Sequence, residues 1–447
     1  METPQEENTS FLQSNTAKMI MVGLLTLVLL IPLQFVKSLI EERALRQKEV
    51  ISETGEKWGE SVYFYGPIVK VPYKTYTETI SVNEKTKERT TEKTASTEYA
   101  YFFPDELKNS SNVKTKVLKR SNYESVVFTS DMKFDGKYSK PDFSSKNIPD
   151  ADILWDEATI LIQTTNLKSI RDEVKINLGN AAYTFEPVYS TKKDSVEALE
   201  TGFINSAAFQ SGGQTPFHFD LVYNGSQQIR MVPIGKTTTA KITSNWHSPK
   251  FDGNFLPDDK TKTVSDKGFR ADWKILHINR AFSQQSFEFL PDLAKYAFGV
   301  DFIIPVNQYQ QNERAAKYGF LVIGLTFLIF FLIQSISKIK IHIFQYSMIG
   351  LALIMFYTLL ISITEHSSFL KAYLISGISV VLMIALYSIS ILKNRKFPAF
   401  IGTSLAVLYS FIYVIIQLEN YALLFGSIGL FLILGAVMYF SRKIDWN

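Results

Sequence analysis

Cysteine is absent from this chain of 447 residues, and histidine is scarce, with five copies. The first absence excludes disulfides, thiolate metal sites and cysteine nucleophiles. The histidines form neither an H-E-x-x-H pair nor a close cluster, which argues against a zinc protease. A large domain without disulfides must be stabilised by packing, which a few hundred residues allow.

Charge is nearly missing from the last third of the chain, where Tyr318 to Phe440 is almost continuously apolar. A second apolar segment, Met19 to Ile40, lies near the start, and residues 41–317 between them are polar. A helix needs about 20 apolar residues to cross a bilayer. This distribution predicts a membrane protein with one large domain between its first and second spans.

The apolar tail divides at short polar breaks into five spans, so six transmembrane helices (1 + 5) are predicted. The predicted spans are Met19 to Ile40, Tyr318 to Ser337, Ile343 to Ile363, Ala372 to Leu392, Pro398 to Gln417 and Tyr421 to Phe440. The breaks are too short for domains, so the last five helices should form one antiparallel bundle at 318–440. Tails at 1–18 and 441–447 complete the chain.

The first span, 19–40, has two interpretations. A cleaved signal peptide would need a shorter apolar core followed by a small-x-small site, and no such site follows here. We therefore favour an uncleaved signal-anchor, kinked at Pro32. Residues 41–58 are charged and rich in helix formers, and they should continue the helix beyond the membrane.

Basic residues in the short loops predict the orientation, since Lys and Arg concentrate on the cytoplasmic side. One set of loops carries Lys338, Lys340, Lys393, Arg395, Lys396, Arg442 and Lys443. The opposite loops carry one lysine, Lys371, and no arginine. Both termini should be cytoplasmic and 41–317 periplasmic. Arg43, Arg46 and Lys48 run against the rule, but they begin a long translocated domain, and such domains largely escape it.

The polar domain alternates apolar and polar residues, a pattern typical of strands. Strands are predicted at Val113–Val117, Val174–Leu178, Phe217–Leu221, Thr237–Thr243 and Gly268–Ile278. Hairpin turns are predicted at Asn224-Gly225 and Asp135-Gly136, an exposed hairpin tip at Asn83–Thr97, and a short helix or loop at Ser195–Phe209. The fold class is a mainly antiparallel, sandwich-like β domain. A division into two subdomains near Asp150 is left open.

No motif predicts a catalytic, cofactor or metal site. Gly235-Lys236-Thr237 matches the end of a phosphate-binding loop, but Arg230 stands where that loop needs glycine. Ser111 and Ser335 begin S-x-x-K patterns that lack their partner motifs, and there is no G-x-S-x-G elbow. His218 and His277 are interpreted as ordinary sheet residues.

Two groups of polar residues are candidate sites in the membrane region. Glu365, His366 and Glu419 lie at outer helix ends and form a candidate outer-rim cluster, with solvated helix ends as the simpler interpretation. Tyr409, Tyr413 and Gln417 share one helix face at a spacing of four. This stripe would line a polar groove or, in the interpretation that we favour, form a hydrogen-bonded helix seam.

Short motifs along nearly the whole chain carry a family resemblance through their order and spacing. They include Trp58-Gly59, Gly66-Pro67, Val71-Pro72-Tyr73, Asn224-Gly225-Ser226, Trp246, Ser248-Pro249, Leu256-Pro257, Ala271-x-Trp273, Lys317-Tyr318-Gly319, Gln345-Tyr346, Glu365-His366 and Arg442-Lys443-x-Asp445-Trp446. The chain resembles the CreD family of bacterial inner-membrane proteins. The resemblance implies a link to cell-envelope integrity, with expression tied in some bacteria to a sensor kinase and response regulator. It supplies no reaction and no catalytic residue.

We therefore expect a non-enzymatic protein of the bacterial inner membrane that contributes to envelope integrity. Its β domain would bind an envelope component or a membrane or periplasmic protein. The expected partners include the lipid bilayer but no nucleic acid, since the net charge of +4 comes partly from residues that flank spans. No cofactor is expected. The alternatives are a transporter or lipid-handling protein, and an extracytoplasmic enzyme whose active site converges from distant strands.

Overall fold

The computed structural model describes residues 15–82, 89–120, 122–188, 197–205, 207–210, 213–304, 308–337, 339–392, 396–418 and 421–442. The chain forms two compact units. The β unit comprises Val50–Pro305, and the membrane unit comprises Met1–Glu49 with Val306–Asn447.

Among the described residues, six helical segments are long and apolar enough to cross a membrane, which confirms the predicted number and placement of spans. The helices are α1 Asn15–Trp58, α2 Ala207–Gln210, α3 Gln308–Lys317, α4 Gly319–Ser337, α5 Ile343–Thr364, α6 Phe369–Leu392, α7 Lys396–Gln417 and α8 Ala422–Ser441. Short α2 belongs to the β unit, and α3 leads into α4. Helix α1 continues through Pro32 to Trp58, as predicted for residues 41–58.

Small residues let α1 pack against the bundle. The Leu29 side chain of α1 lies against Gly350 of α5, and Leu33 lies against Gly319 of α4. A Cβ at either glycine would collide with the leucine. Close approach of this kind supplies the van der Waals contact that holds helices together in lipid, where the hydrophobic effect contributes little.

The described part of the β unit contains sixteen strands. They are β1 Val62–Val82, β2 Arg89–Phe102, β3 Glu106–Arg120, β4 Tyr123–Tyr138, β5 Thr159–Thr164, β6 Lys175–Leu178, β7 Ala181–Val188, β8 Glu197–Thr201, β9 Thr215–Ser226, β10 Gln228–Met231, β11 Thr237–Ser244, β12 Pro249–Gly253, β13 Thr263–Ser265, β14 Gly268–Leu276, β15 Gln285–Phe287 and β16 Phe298–Phe302. Their order is β12-β16-β10-β1-β5-β8-β7-β6-β9-β4-β3-β11-β14-β13, with β2 paired to β1 and β15. All pairs are antiparallel except β1–β10 and β3–β11, which confirms the mainly antiparallel prediction.

The sheet folds over on itself and is nearly closed. Facing strands are joined by stacked rings, including Phe64 of β1 with Phe134 of β4, whose ring centroids lie 4.5 Å apart. Near the two ends of the strand order, Phe251 of β12 meets Phe269 of β14 at 5.6 Å. The apolar residues of the alternating strands therefore share one core, and the alternate polar residues face outward.

Both predicted hairpin turns are wrong. Asn224-Gly225 lies inside β9, and β9 pairs with β4 and β6 rather than with β10. The chain turns at Gln227, which has a positive φ of 63°. Asp135-Gly136 lies inside β4, which runs unbroken to Tyr138. The glycines are needed for close packing rather than turning, because a Cβ at Gly225 would overlap the Phe128 ring.

The other strand predictions are largely confirmed. Of the predicted tip at Asn83–Thr97, residues 83–88 lie outside the described residues, and the rest belongs to β2, which forms an antiparallel pair with β1. Ser195–Phe209 was expected to be a short helix or a loop. This is wrong for Glu197–Thr201, which form strand β8 and pair with β5 and β7. His218 lies in β9 as expected, whereas His277 begins a short 3-10 helix.

Candidate functional site

A polar pocket opens on the outer face of the β unit and has a volume of about 360 Å³. It lies across β3, β4, β6 and β9. Its lining residues are Glu106, Lys108, Asp135, Gly136, Lys137, Asn177, Gly179, Pro216, Phe217 and His218. We call this the β pocket.

Strand register explains why these side chains meet. Lys108 is paired with Asp135, Asp135 with His218, and His218 with Asn177, so four polar residues form one row across four strands. Cross-strand neighbours have Cβ atoms about 5 Å apart and project from the same face.

The charged groups of the β pocket form three contacts with one another. The His218 ring lies 2.8 Å from Asp135 (Nδ1 to Oδ1), and the Lys108 ammonium lies 2.8 Å from Glu106 (Nζ to Oε1). Lys137 lies 3.6 Å from the other Glu106 oxygen. The hydrogen bond from Lys108 lowers the pKa of Glu106 and raises the pKa of Lys108. The carboxylate therefore stays ionised between two ammonium groups.

Gly136 contributes bare backbone to the lining of the β pocket. Gly136 packs directly against the buried Phe217 ring and against the Glu106 carbonyl. Any Cβ at this position would overlap both neighbours. The glycine is therefore required by close packing, and its place between Asp135 and Lys137 in β4 turns it to the opposite face of the sheet from these two side chains.

The β pocket combines ammonium, carboxylate, imidazole and amide groups in one small volume. Such a set can hydrogen-bond to carboxylates, amines and hydroxyls of a bound molecule at the same time. Among the described residues there is no group of three or more histidine, aspartate and glutamate side chains placed to hold a metal ion.

In the predicted outer-rim cluster, Glu365 contacts a residue that was not predicted. Glu365, just after α5, forms an ion pair with Arg43 of α1, at 3.4 Å from Nε to Oε1. His366 follows in the turn and is exposed. Glu419 lies outside the described residues, so the three-residue cluster remains a prediction.

Amides from α3 meet the end of α5 at the same rim. Asn312 is completely buried and accepts a hydrogen bond from the Thr364 hydroxyl at 3.4 Å. The Gln308 amide, oriented with its nitrogen inward, donates to the carbonyls of Thr364 and Ser367 at 3.1 Å. The two Gln308 bonds satisfy backbone carbonyl groups at and just beyond the end of α5.

The predicted polar stripe on α7 is divided between two environments. Tyr409 is buried and Tyr413 half-buried, and both rings pack against Tyr373 of α6. The Tyr373 hydroxyl donates to the Tyr409 carbonyl at 2.8 Å. Gln417 is exposed. This packing favours a seam over a path, and a transport role remains a prediction.

Sequence reasoning missed the β pocket. Asp135-Gly136 has the composition of a turn, and charges on strands such as Glu106, Lys108 and Lys137 are usually solvated and predict no site. The one usable signal was the alternation along β3 and β4, which places the charges of each strand on one face. The sequence does not show which strands are neighbours.

Comparison with known proteins assigns the family. The family described as "Inner membrane protein CreD" matches residues 14–447. A curated relative, the "Inner membrane protein CreD" of Escherichia coli (strain K12), is 27% identical over 442 residues, which cover 94% of this chain and 91% of the relative. The resemblance inferred from short motifs is therefore confirmed, and this chain belongs to the CreD family of inner membrane proteins.

Proposed function

We propose that this protein supports the integrity of the cell envelope without catalysing a reaction. In this proposal the membrane unit anchors and orients the β unit, and the β pocket binds a polar group of an envelope component or of a protein partner. The observation that carries it is the row of Lys108, Asp135, His218 and Asn177 across the outward face of the sheet.

The chemistry of the β pocket supports binding of a small polar group. Glu106 lies between Lys108 and Lys137. Each ammonium has three N–H groups, so the contacts with Glu106 leave further N–H groups that can donate to a ligand. Exposed ion pairs contribute little to stability, typically about 0–1 kcal/mol. We therefore infer that these side chains were selected for recognition.

The test reverses charge inside the β pocket. A strain that lacks the native protein would express Lys137→Glu in the full-length chain, and its survival in bile salts or detergent would be compared with that of the wild type. Reduced survival at unchanged membrane abundance is expected, because Glu106 and Asp135 would then face a third carboxylate.

Lys114→Glu is the matched control, since Lys114 lies farther along the same strand as Lys108 and its side chain is 71% exposed. It lies outside the β pocket and should leave survival unchanged. Equal survival of the Lys137→Glu strain and the wild type would refute the proposed site. Turnover of an envelope substrate by the purified protein, lost on point mutation, would refute the non-enzymatic role.

The orientation is also a proposal: both termini are cytoplasmic and the β unit is periplasmic. The basic loop residues named above support it through the positive-inside rule. Fusions of alkaline phosphatase, active only outside the cytoplasm, can be placed at Gly202 in the β unit and after Asn447. Activity at Gly202 alone is expected, and activity only at the C-terminus would reverse the assignment.

A further inference from the structure

An apolar groove of about 870 Å³ lies within the membrane unit between α4, α7 and α8. Its walls are leucine, isoleucine, valine and phenylalanine side chains, and they include Leu332 of α4, Phe400 of α7 and Ile433 of α8. The polar lining residues are Ser337, Lys396, Thr403 and Ser404. We call it the bundle groove.

The loose attachment of α8 leaves the bundle groove open. Among the described residues of α8 no side chain is buried. Gly429 packs directly on the ring of Phe411 in α7, where a Cβ would overlap the ring. This contact brings α8 against α7, and Leu432 and Ala436 then face the groove from one wall.

The position of the bundle groove restricts its occupant. Its walls are made by three helices long and apolar enough to span a membrane, so most of the groove lies at the depth of the hydrocarbon layer. From Lys396 to Phe411 it extends about 22 Å along α7 at 1.5 Å per residue. The hydrocarbon layer is about 30 Å thick, so an acyl chain from one leaflet reaches through most of the groove.

One end of the bundle groove carries a basic side chain. Lys396 lines it where α7 begins, beside Ser337 at the end of α4. Lys340 follows Ser337 by three residues. A basic side chain at the mouth of an apolar groove matches an anionic phospholipid, whose phosphate lies at the interface while its chains enter the hydrocarbon layer. We propose that the bundle groove binds an acyl chain of an anionic phospholipid, with the headgroup at Lys396.

The experiment measures lipid retention by the purified full-length protein. Native mass spectrometry would count bound dioleoylphosphatidylglycerol and dioleoylphosphatidylcholine after equal additions to the protein in detergent. Retention of the anionic lipid should exceed retention of the zwitterionic one. Lys396→Gln should weaken retention of the anionic lipid about fivefold, which corresponds to about 1 kcal/mol for one basic residue at the interface. Lys371→Gln, a change outside the groove lining, should weaken neither lipid.

Three further variants test the bundle groove itself. Ala436→Phe fills it from α8 and should reduce retention of both lipids. Gly435→Phe, one residue earlier and with open space around its Cα, is the matched control and should leave retention unchanged. Thr403→Phe fills the groove from α7 and repeats the test from another wall.

Two results would overturn the proposal. The first is undiminished lipid retention in both groove-filling variants while their thermal unfolding resembles that of the wild type. The second is efficient crosslinking between copies through cysteines at Leu432 and Phe400, because a second copy of the chain would then occupy the groove.

Discussion

Arg43 of α1 forms an ion pair with Glu365 at the end of α5, at 3.4 Å, across about 320 residues of intervening sequence. The Glu365 side chain is 20% exposed and the Arg43 side chain 44%. The contact joins the first span to the bundle at a helix end. Arg43 runs against the loop-charge rule, and the structure shows that it contacts the bundle through Glu365.

Exchanging the two charges tests this ion pair. Arg43→Glu and Glu365→Arg should each lower the thermal unfolding midpoint of the protein in detergent, because like charges then lie side by side. The double variant should recover most of the loss, with a coupling free energy of about 0.2–1 kcal/mol for a partly exposed pair. Independent, additive effects in a double-mutant cycle would show that the two side chains do not interact.

Removing the hydroxyl of Tyr373 or of Tyr409 tests the contact between α6 and α7. Tyr373→Phe removes the donor to the Tyr409 carbonyl and should cost about 0.6–1.7 kcal/mol of unfolding free energy, as measured for interhelical bonds. The Tyr409 hydroxyl is buried and has no hydrogen-bond partner among the described residues. Tyr409→Phe should therefore be neutral or slightly stabilising. A larger loss in Tyr409→Phe than in Tyr373→Phe would indicate a ligand on that hydroxyl and would favour a transport path.

Glycine packing in the β unit predicts a contrast between two alanine variants. Gly136→Ala would place a Cβ against Phe217 and the Glu106 carbonyl, and overpacking of this kind costs about 1–3 kcal/mol. Gly202→Ala meets open space and should leave the unfolding midpoint unchanged. Equal midpoints in chemical denaturation would mean that β4 shifts to accept the methyl group.

The lowered pKa of Glu106 predicts a dependence on pH. Because the folded pKa lies below the ordinary value of 4.5, Glu106 stabilises the fold above that value, and this contribution is lost as pH falls through the folded pKa. The stability difference between wild type and Glu106→Gln should shrink from about pH 6 to about pH 3. Lys108→Gln should reduce the same pH dependence, since it removes the hydrogen bond that lowers the pKa. An unchanged pH dependence in Lys108→Gln would assign the shift to Lys137 instead.

Local patterns predicted the helices well because a membrane span depends on the residues of that span alone. The stretch 343–363 was predicted and Ile343–Thr364 is observed. The continuation of α1 to Trp58 followed from helix propensity. The strands of alternating sequence at 113–117 and 237–243 were predicted for the same reason, since burial on one face imposes a period of two.

Glycine-containing pairs gave wrong turn predictions where the glycine is required by packing against a residue distant in sequence. Asn224-Gly225 has the composition of a tight turn, yet Gly225 is required by the Phe128 ring on β4. A single sequence cannot separate these causes, because positive φ and close approach select the same residue.

The sequence by itself determined that the chain has six membrane-spanning helices and one β domain between the first two of them. Span length and strand alternation are local properties, and the solvent acts on each segment directly. Only the tertiary structure decided which residues form sites. Lys108, Asp135 and His218 meet because β3, β4 and β9 are neighbours, and Arg43 meets Glu365 because α1 packs on the bundle. These contacts join residues far apart in the chain, and their partners are selected by the packing of the whole core.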